Sequence, residues 1–286
     1  EFLPGWKVLL GLRHDRMDAQ YSNGAEVEFG EWSYRTGLSW QPTELQHYYL
    51  AFSDSFNPTA DLYQFTTTTT PAPAERSKTL ELGAKRELFE GDLSLRSSLY
   101  RSEKEWERNT DVESAANAPT LANPYPNLLT RRRHTHGLEL EAAGRITPRW
   151  EVFFGWALLD ARIDAAKPGG SKAVEGMHPR NTPPFTYSLW TTYRLPAGWR
   201  IGGGVEGMGP RQAYGIPNGT AIPTVNVAPG YQRWDAMASY EQAKYLVKLN
   251  VLNLFDQRYY ESVYENGGHV VPGTSRAAQV TVEYKF

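Results

Sequence analysis

The stretch that decides the fold is TSRAAQVTVEYKF, Thr274 to Phe286. Taken every second residue, Ala278, Val280, Val282, Tyr284 and Phe286 share one side, and Ala277, Gln279, Thr281, Glu283 and Lys285 the other. This is a period-2 strand with one apolar and one hydrophilic face. A soluble sheet could also carry it, so its meaning rests on whether the rest of the chain repeats it.

It does. Working back from the end, KYLVKLNVLNLF (244–255), YQRWDAMASY (231–240), WRIGGGVEGMG (199–209) and FTYSLWTTYRL (185–195) alternate in the same way. So do WEVFFGWALLDARI (150–163), GLELEAAGRI (137–146), LSLRSSLYRSE (93–103), TLELGAKREL (79–88), LQHYYLAFSDSF (45–56), WSYRTGLSWQP (32–42) and PGWKVLLGLRHDR (4–16). About twelve segments of roughly ten residues each have the length that a tilted strand needs to cross a bilayer. Their connections alternate too. QPTE, EGD, TPR, PAG and EQA are short, and polar runs separate them at 17–31, 56–78, 104–131, 164–183, 211–230 and 256–273. An outer-membrane barrel sorts its loops this way, because short turns face the periplasm and long loops the exterior. Trp6, Trp40, Trp150, Tyr193 and Trp199 sit near segment ends, as interfacial girdles do. The expected fold is therefore all-β, a transmembrane antiparallel β-barrel. The Thr/Pro tract at Thr66 to Pro73 is a surface loop within it, since alternation resumes directly afterwards.

Composition agrees. Of the 286 residues 13% are aromatic, yet mean hydropathy is -0.55. Lipid-facing residues diluted by polar lumen residues give that combination. No apolar run approaches 18 residues, so no helical span is expected. A net charge of -2 argues against a nucleic-acid partner, and the lack of Cys removes thiolate metal sites and Cys nucleophiles.

Several of these stretches resemble the barrel of TonB-dependent siderophore receptors, near the catecholate-type subgroup. They are YYLAFSDSFNPT (48–59), KTLELGAKRELFEGDLSLRSSLYRSEK (78–104), HGLELEAAGRITPRWEVFFGWALLDARI (136–163), PRNTPPFTYSLWTTYRLPAGWRIGGGV (179–205), VLNLFDQRYY (251–260) and PGTSRAAQVTVEYKF (272–286). The resemblance implies a 22-stranded barrel with a plugged lumen, of which residues 1–286 would be the C-terminal portion, without the plug domain and first strands. It also implies uptake of a ferric siderophore in the outer membrane of a Gram-negative bacterium. TonB would act through the N-terminal region, and lipid and lipopolysaccharide would surround the wall. The protein would be no enzyme and hold no cofactor of its own, the iron arriving inside its ligand.

Ferric catecholates are anionic and aromatic, so guanidiniums and aromatic faces suit them. The candidates on the long connections are Tyr63, Phe65, Arg131, Arg132, Arg133, Arg180, Arg211, Tyr214, Tyr264 and His269. A solvated loop residue or a lipopolysaccharide contact is the alternative for each.

Other signals lead elsewhere and are weaker. His134 and His136 share a strand face without a marked third metal ligand. NPYPNL (123–128) faintly resembles a haem-receptor box, without its companion motif. GGG at 202–204 lies in a strand, where it would relieve crowding. A passive porin, a haem receptor and a barrel phospholipase are the competing readings, and the Ser and His residues form no recognisable dyad.

Overall fold

The computed structural model describes residues 3–20, 26–57, 73–108, 121, 128–215, 224–263 and 269–286. Its strands are β1 (Trp6–Gln20), β2 (Glu26–Thr43), β3 (Gln46–Asn57), β4 (Glu75–Leu88), β5 (Leu93–Arg108), β6 (Leu128–Thr147), β7 (Trp150–Ala166) and β8 (Phe185–Arg194). They continue as β9 (Trp199–Met208), β10 (Arg211–Gly215), β11 (Thr224–Ala228), β12 (Tyr231–Glu241), β13 (Tyr245–Leu252), β14 (Tyr260–Val263), β15 (Val270–Pro272) and β16 (Ala277–Tyr284). Twelve of them form one antiparallel sheet in the order β1 to β9, β12, β13, β16, while β10–β11 and β14–β15 are separate hairpins. The expectation of a twelve-stranded antiparallel sheet holds. No described helix is long and apolar enough to cross a membrane.

Register turns the alternation into continuous bands. One row runs Val8, Leu38, Leu50, Leu82, Leu99, Leu138, Leu158, Phe185 from β1 to β8, each residue paired with the next. A second runs Trp150, Tyr193, Ile201, Ala238, Leu249, Val280 from β7 to β16. Most of these apolar side chains are left exposed, Leu82 at 57% and Val280 at 65%. A continuous apolar band of this extent around a strand sheet is the lipid-facing surface of a membrane barrel. The other face carries a polar row: Tyr49, Gly83, Ser98, Glu139, Ala157, Thr186, Met208, Tyr231. Sequence alternation and pairing therefore agree on which face meets lipid and which the lumen.

At the short-turn end, Trp6 stacks on Trp40 at 5.8 Å and Trp40 on Tyr48 at 5.6 Å, with Trp199 against Tyr240 at 4.9 Å. This girdle follows the expected interfacial placement. Gly204 lies beneath the Trp190 ring, and a methyl group built on it would overlap that ring and the Leu189 carbonyl. The glycine run thus relieves luminal crowding, as anticipated.

Two expectations need correction. Most of the polar run 17–31 is strand: β1 continues to Gln20 and β2 begins at Glu26. Likewise β5 reaches Arg108, β6 begins at Leu128 and β7 extends to Ala166, inside stretches read as loops. Beyond the lipid both faces are wet, so hydrophobic alternation disappears while backbone pairing continues. The second correction concerns 211–230 and 256–273, which contain the hairpins β10–β11 and β14–β15.

Among the described residues, β1 and β16 are the outermost strands of the sheet, each with a partner on one side, and they do not pair with each other.

Candidate functional site

The candidate site is the long-loop end of the sheet, and its two halves are built differently. On β4 to β7 the strands rise as a wall stitched by ion pairs. Arg76 reaches Asp54 at 3.0 Å and donates to the Trp32 carbonyl at 2.7 Å. Lys104 pairs with Glu75, and Arg133 with Glu107 at 2.8 Å. His134 Nδ1 meets Asp164 at 2.7 Å. The reading of 131–136 as the rising edge of a strand is therefore right.

On the other half, the connections fold over one another. The segment after β7 turns back on it, where Ile163 and Val174 make a small core with Ala166 and Met177 packed against it. Ile163 N–H donates to the Met177 carbonyl at 3.0 Å. Hairpins β10–β11 and β14–β15 meet around Ala213, Ala228 and Val263. Arg211, 2% exposed, lies between them. Its Nη2 donates to the Tyr260 carbonyl at 2.5 Å and its Nη1 to the Glu261 carbonyl. The guanidinium also lies 5.8 Å from the Tyr231 ring centroid. Burial pushes the Arg211 pKa down from its ordinary value, with Tyr231 acting in the opposite direction. An arginine remains cationic regardless.

Below this contact, Arg233 donates to Tyr259 Oη at 3.3 Å and to Asp235 and Glu206, both at 3.1 Å. Asp235 accepts the Asn253 N–H at 2.8 Å. Asn253 is 1% exposed with φ 49°, in the left-handed region that Asn tolerates better than most residues. Its amide donates to the carbonyls of Gln257 and Thr274, both at 2.9 Å, and its Oδ1 accepts the Gln257 N–H at 2.9 Å. Asp256 then accepts the Arg276 N–H at 2.8 Å. Asn253 and Asp256 of the NLFD stretch thereby clamp the start of the final connection to its end.

The sequence-derived candidates divide accordingly. Arg131 and Arg132 are exposed on β6, not in a loop; Arg131 lies 5.7 Å from the Trp106 ring and Arg132 3.8 Å from Asp164. Arg133 is half-buried and committed to Glu107. Arg180 is half-buried in the connection after β7. Lys167 lies in the same connection, its pKa lowered by burial and then by the Arg180 charge. Arg211 is a structural residue holding two carbonyls, which corrects its reading as a loop-surface contact. His269 is exposed before β15. Tyr214 belongs to β10, opposite Val225, but its side chain lies outside the described residues, as do Tyr63, Phe65 and Tyr264.

Sequence reasoning passed over Asn253, Asp235, Arg233 and Tyr259. The available signal was the Asn at the end of the β13 pattern, a position that favours residues able to adopt positive φ. On the luminal face, Tyr49 Oη donates to Glu81 at 2.5 Å, with Lys85, Arg96, Glu139 and Glu141 around it. Among the described residues no group of three or more His, Asp or Glu could hold a metal ion.

Comparison with known proteins agrees with this geometry. The chain is 28% identical over 98% of its length to the probable TonB-dependent receptor BfrD of Bordetella pertussis, covering 39% of that protein. It is 28% identical over 74% of its length to the catecholate siderophore receptor Fiu of Escherichia coli, covering 26% of it. The crystal structure of the siderophore receptor PiuA from Acinetobacter baumannii superposes on all of this chain with a TM-score of 0.82 at 25% identity, 42% of that chain being covered. The chain thus spans well under half of these relatives. Residues 1–254 match the family described as TonB dependent receptor-like, beta-barrel, and the chain belongs to this family of Gram-negative outer-membrane proteins.

Proposed function

We propose that this chain is the C-terminal part of the barrel of a receptor that takes up ferric siderophores, catecholates foremost, by TonB-dependent active transport. The observation that carries the reading is the family match over residues 1–254. The sheet supports the same view. Among the described residues its outer strands β1 and β16 each lack a partner on one side, and an open edge is untenable in lipid. Further barrel strands would pair with both, and a plug domain would fill the lumen. Similarity to Fiu, named a catecholate siderophore receptor, and to PiuA, named a siderophore receptor, favours this cargo class.

Exposed Arg131, Arg132 and His269, with Arg180, stand at the end where an anionic chelate would arrive. Tyr63, Phe65, Tyr214 and Tyr264 are proposed as stacking partners. Arg101 and Arg162, exposed just above the apolar rows, suit lipopolysaccharide phosphates, while the rows themselves face lipid.

The test is growth on limiting iron with one ferric siderophore supplied at a time. Deleting the gene should abolish use of a ferric tris-catecholate, and restoring it should recover growth. Unchanged growth on every siderophore would sink the reading. Uptake that persists without TonB would favour a passive porin.

A further inference from the structure

We infer that the described parts of the three long connections of the second half, 167–184, 209–215 with 224–230, and 253–263 with 269–276, move as one crown and not as three separate lids. Arg211 and Asn181 are the positioning residues that join them. Each pair of connections is bonded directly. Asn181 N–H donates to the Gln212 carbonyl at 2.8 Å, and Gln212 Nε2 donates to the His178 carbonyl at 3.4 Å, tying the first connection to the second. Val263 N–H donates to Asn181 Oδ1 at 3.4 Å, tying the first to the third. Arg211 reaches from the second into the carbonyls of Tyr260 and Glu261 on the third, beside the shared core of Ala213, Ala228 and Val263.

Separate motion would undo these contacts at their most expensive point. Withdrawing β14–β15 alone would leave the Arg211 guanidinium without its two carbonyl acceptors, and its Nε has no hydrogen-bond partner even now. Those two bonds to a charged group and the apolar contact of Ala213, Ala228 and Val263 would be lost in that step. Movement of all three together keeps every bond. The natural pivot is the rim, where Tyr231 packs against Tyr259 at 4.4 Å and Arg233 holds the Tyr259 hydroxyl. Given the receptor reading above, a chelate touching one connection would be felt by the other two.

Amide hydrogen exchange on the membrane-embedded protein tests this from two directions. Asn181→Gly removes the Oδ1 acceptor while tolerating the φ of 53° at that position. Exchange should quicken about fivefold, the equivalent of one lost hydrogen bond, at 211–213 and 260–263 as well as at 178–182, with β6 unchanged. Arg211→Met should quicken all three by about a hundredfold, since two bonds to a charged group are lost. Quickening confined to the mutated connection in either variant overturns the proposal. If Arg211→Met fails to insert into membranes, Asn181→Gly decides alone. Adding a ferric tris-catecholate to the wild type separates this from the receptor reading. Absence of binding would undo that reading while leaving the exchange result intact.

Discussion

The wall on β4 to β7 and the crown over β8 to β16 leave the membrane in opposite ways. In the wall the strands carry on, β6 to 20 residues and β7 to 17, whereas β8 and β9 stop at 10 and β13 and β16 at 8. Every backbone N–H and C=O needs a partner in either case. The wall supplies it by extending the ladder and neutralises the extra charge across strands. The crown supplies it by folding short hairpins onto side chains such as Asn253 and Arg211. Proline marks the strand ends in the crown: Pro183 and Pro184 precede β8, Pro210 follows β9, Pro229 precedes β12 and Pro272 ends β15. Proline cannot donate to a ladder. β5 and β6 contain none.

The sharpest way to break this contrast is to give the wall a crown-like stop. Thr135→Pro, placed where β6 pairs with both Ser102 and Ala161, removes a ladder donor and orphans its acceptor, and with the strain of proline in a central strand should cost about 3 kcal/mol. Urea unfolding of the membrane-embedded protein, followed by tryptophan fluorescence, would register it, and an unchanged midpoint would mean that the upper ladder does not support the wall. Next in size is Asn253→Ala, which removes three side-chain hydrogen bonds and places Ala at positive φ. A loss of about 2–3 kcal/mol is expected, and protease sensitivity should rise in 253–276 while β4 to β7 stay intact. Cleavage spreading into the wall would show the halves to be coupled.

The smallest effect concerns Lys167. Its pKa is lowered in the folded state by burial and by Arg180, so folding disfavours its charged form. Stability should therefore rise with pH from the lowered folded value up to the ordinary lysine range, and flatten beyond it. Lys167→Met should abolish that slope and stabilise the crown by about 0.5 kcal/mol at neutral pH. A slope that survives the substitution would assign the pH response to another group.

Much of the transmembrane part was legible in sequence because lipid imposes a strict rule. Leu80, Leu82 and Ala84 against Glu81, Gly83 and Lys85 could be sorted by alternation alone, and the register confirms the sorting. Met17 to Glu31 and Lys104 to Arg131 misled because water on both faces removes the hydrophobic signal without removing the strand. Arg211 misled for a different reason. A lone arginine in a long polar connection has the same local pattern whether it meets solvent or is buried against two carbonyls.

The sequence by itself determined the number of strands this chain adds to one sheet, the face each turns to lipid, the end that carries long loops and the family resemblance. These depend on side-chain period and on loop length, both local properties of the chain. The tertiary structure alone decided how far each strand climbs above the bilayer, that three distant connections are bonded to one another, and which arginines are exposed. Those outcomes turn on partners far apart in sequence, Arg211 with Glu261 and Asn181 with Val263, and no local pattern encodes which distant carbonyl will complete a buried charge.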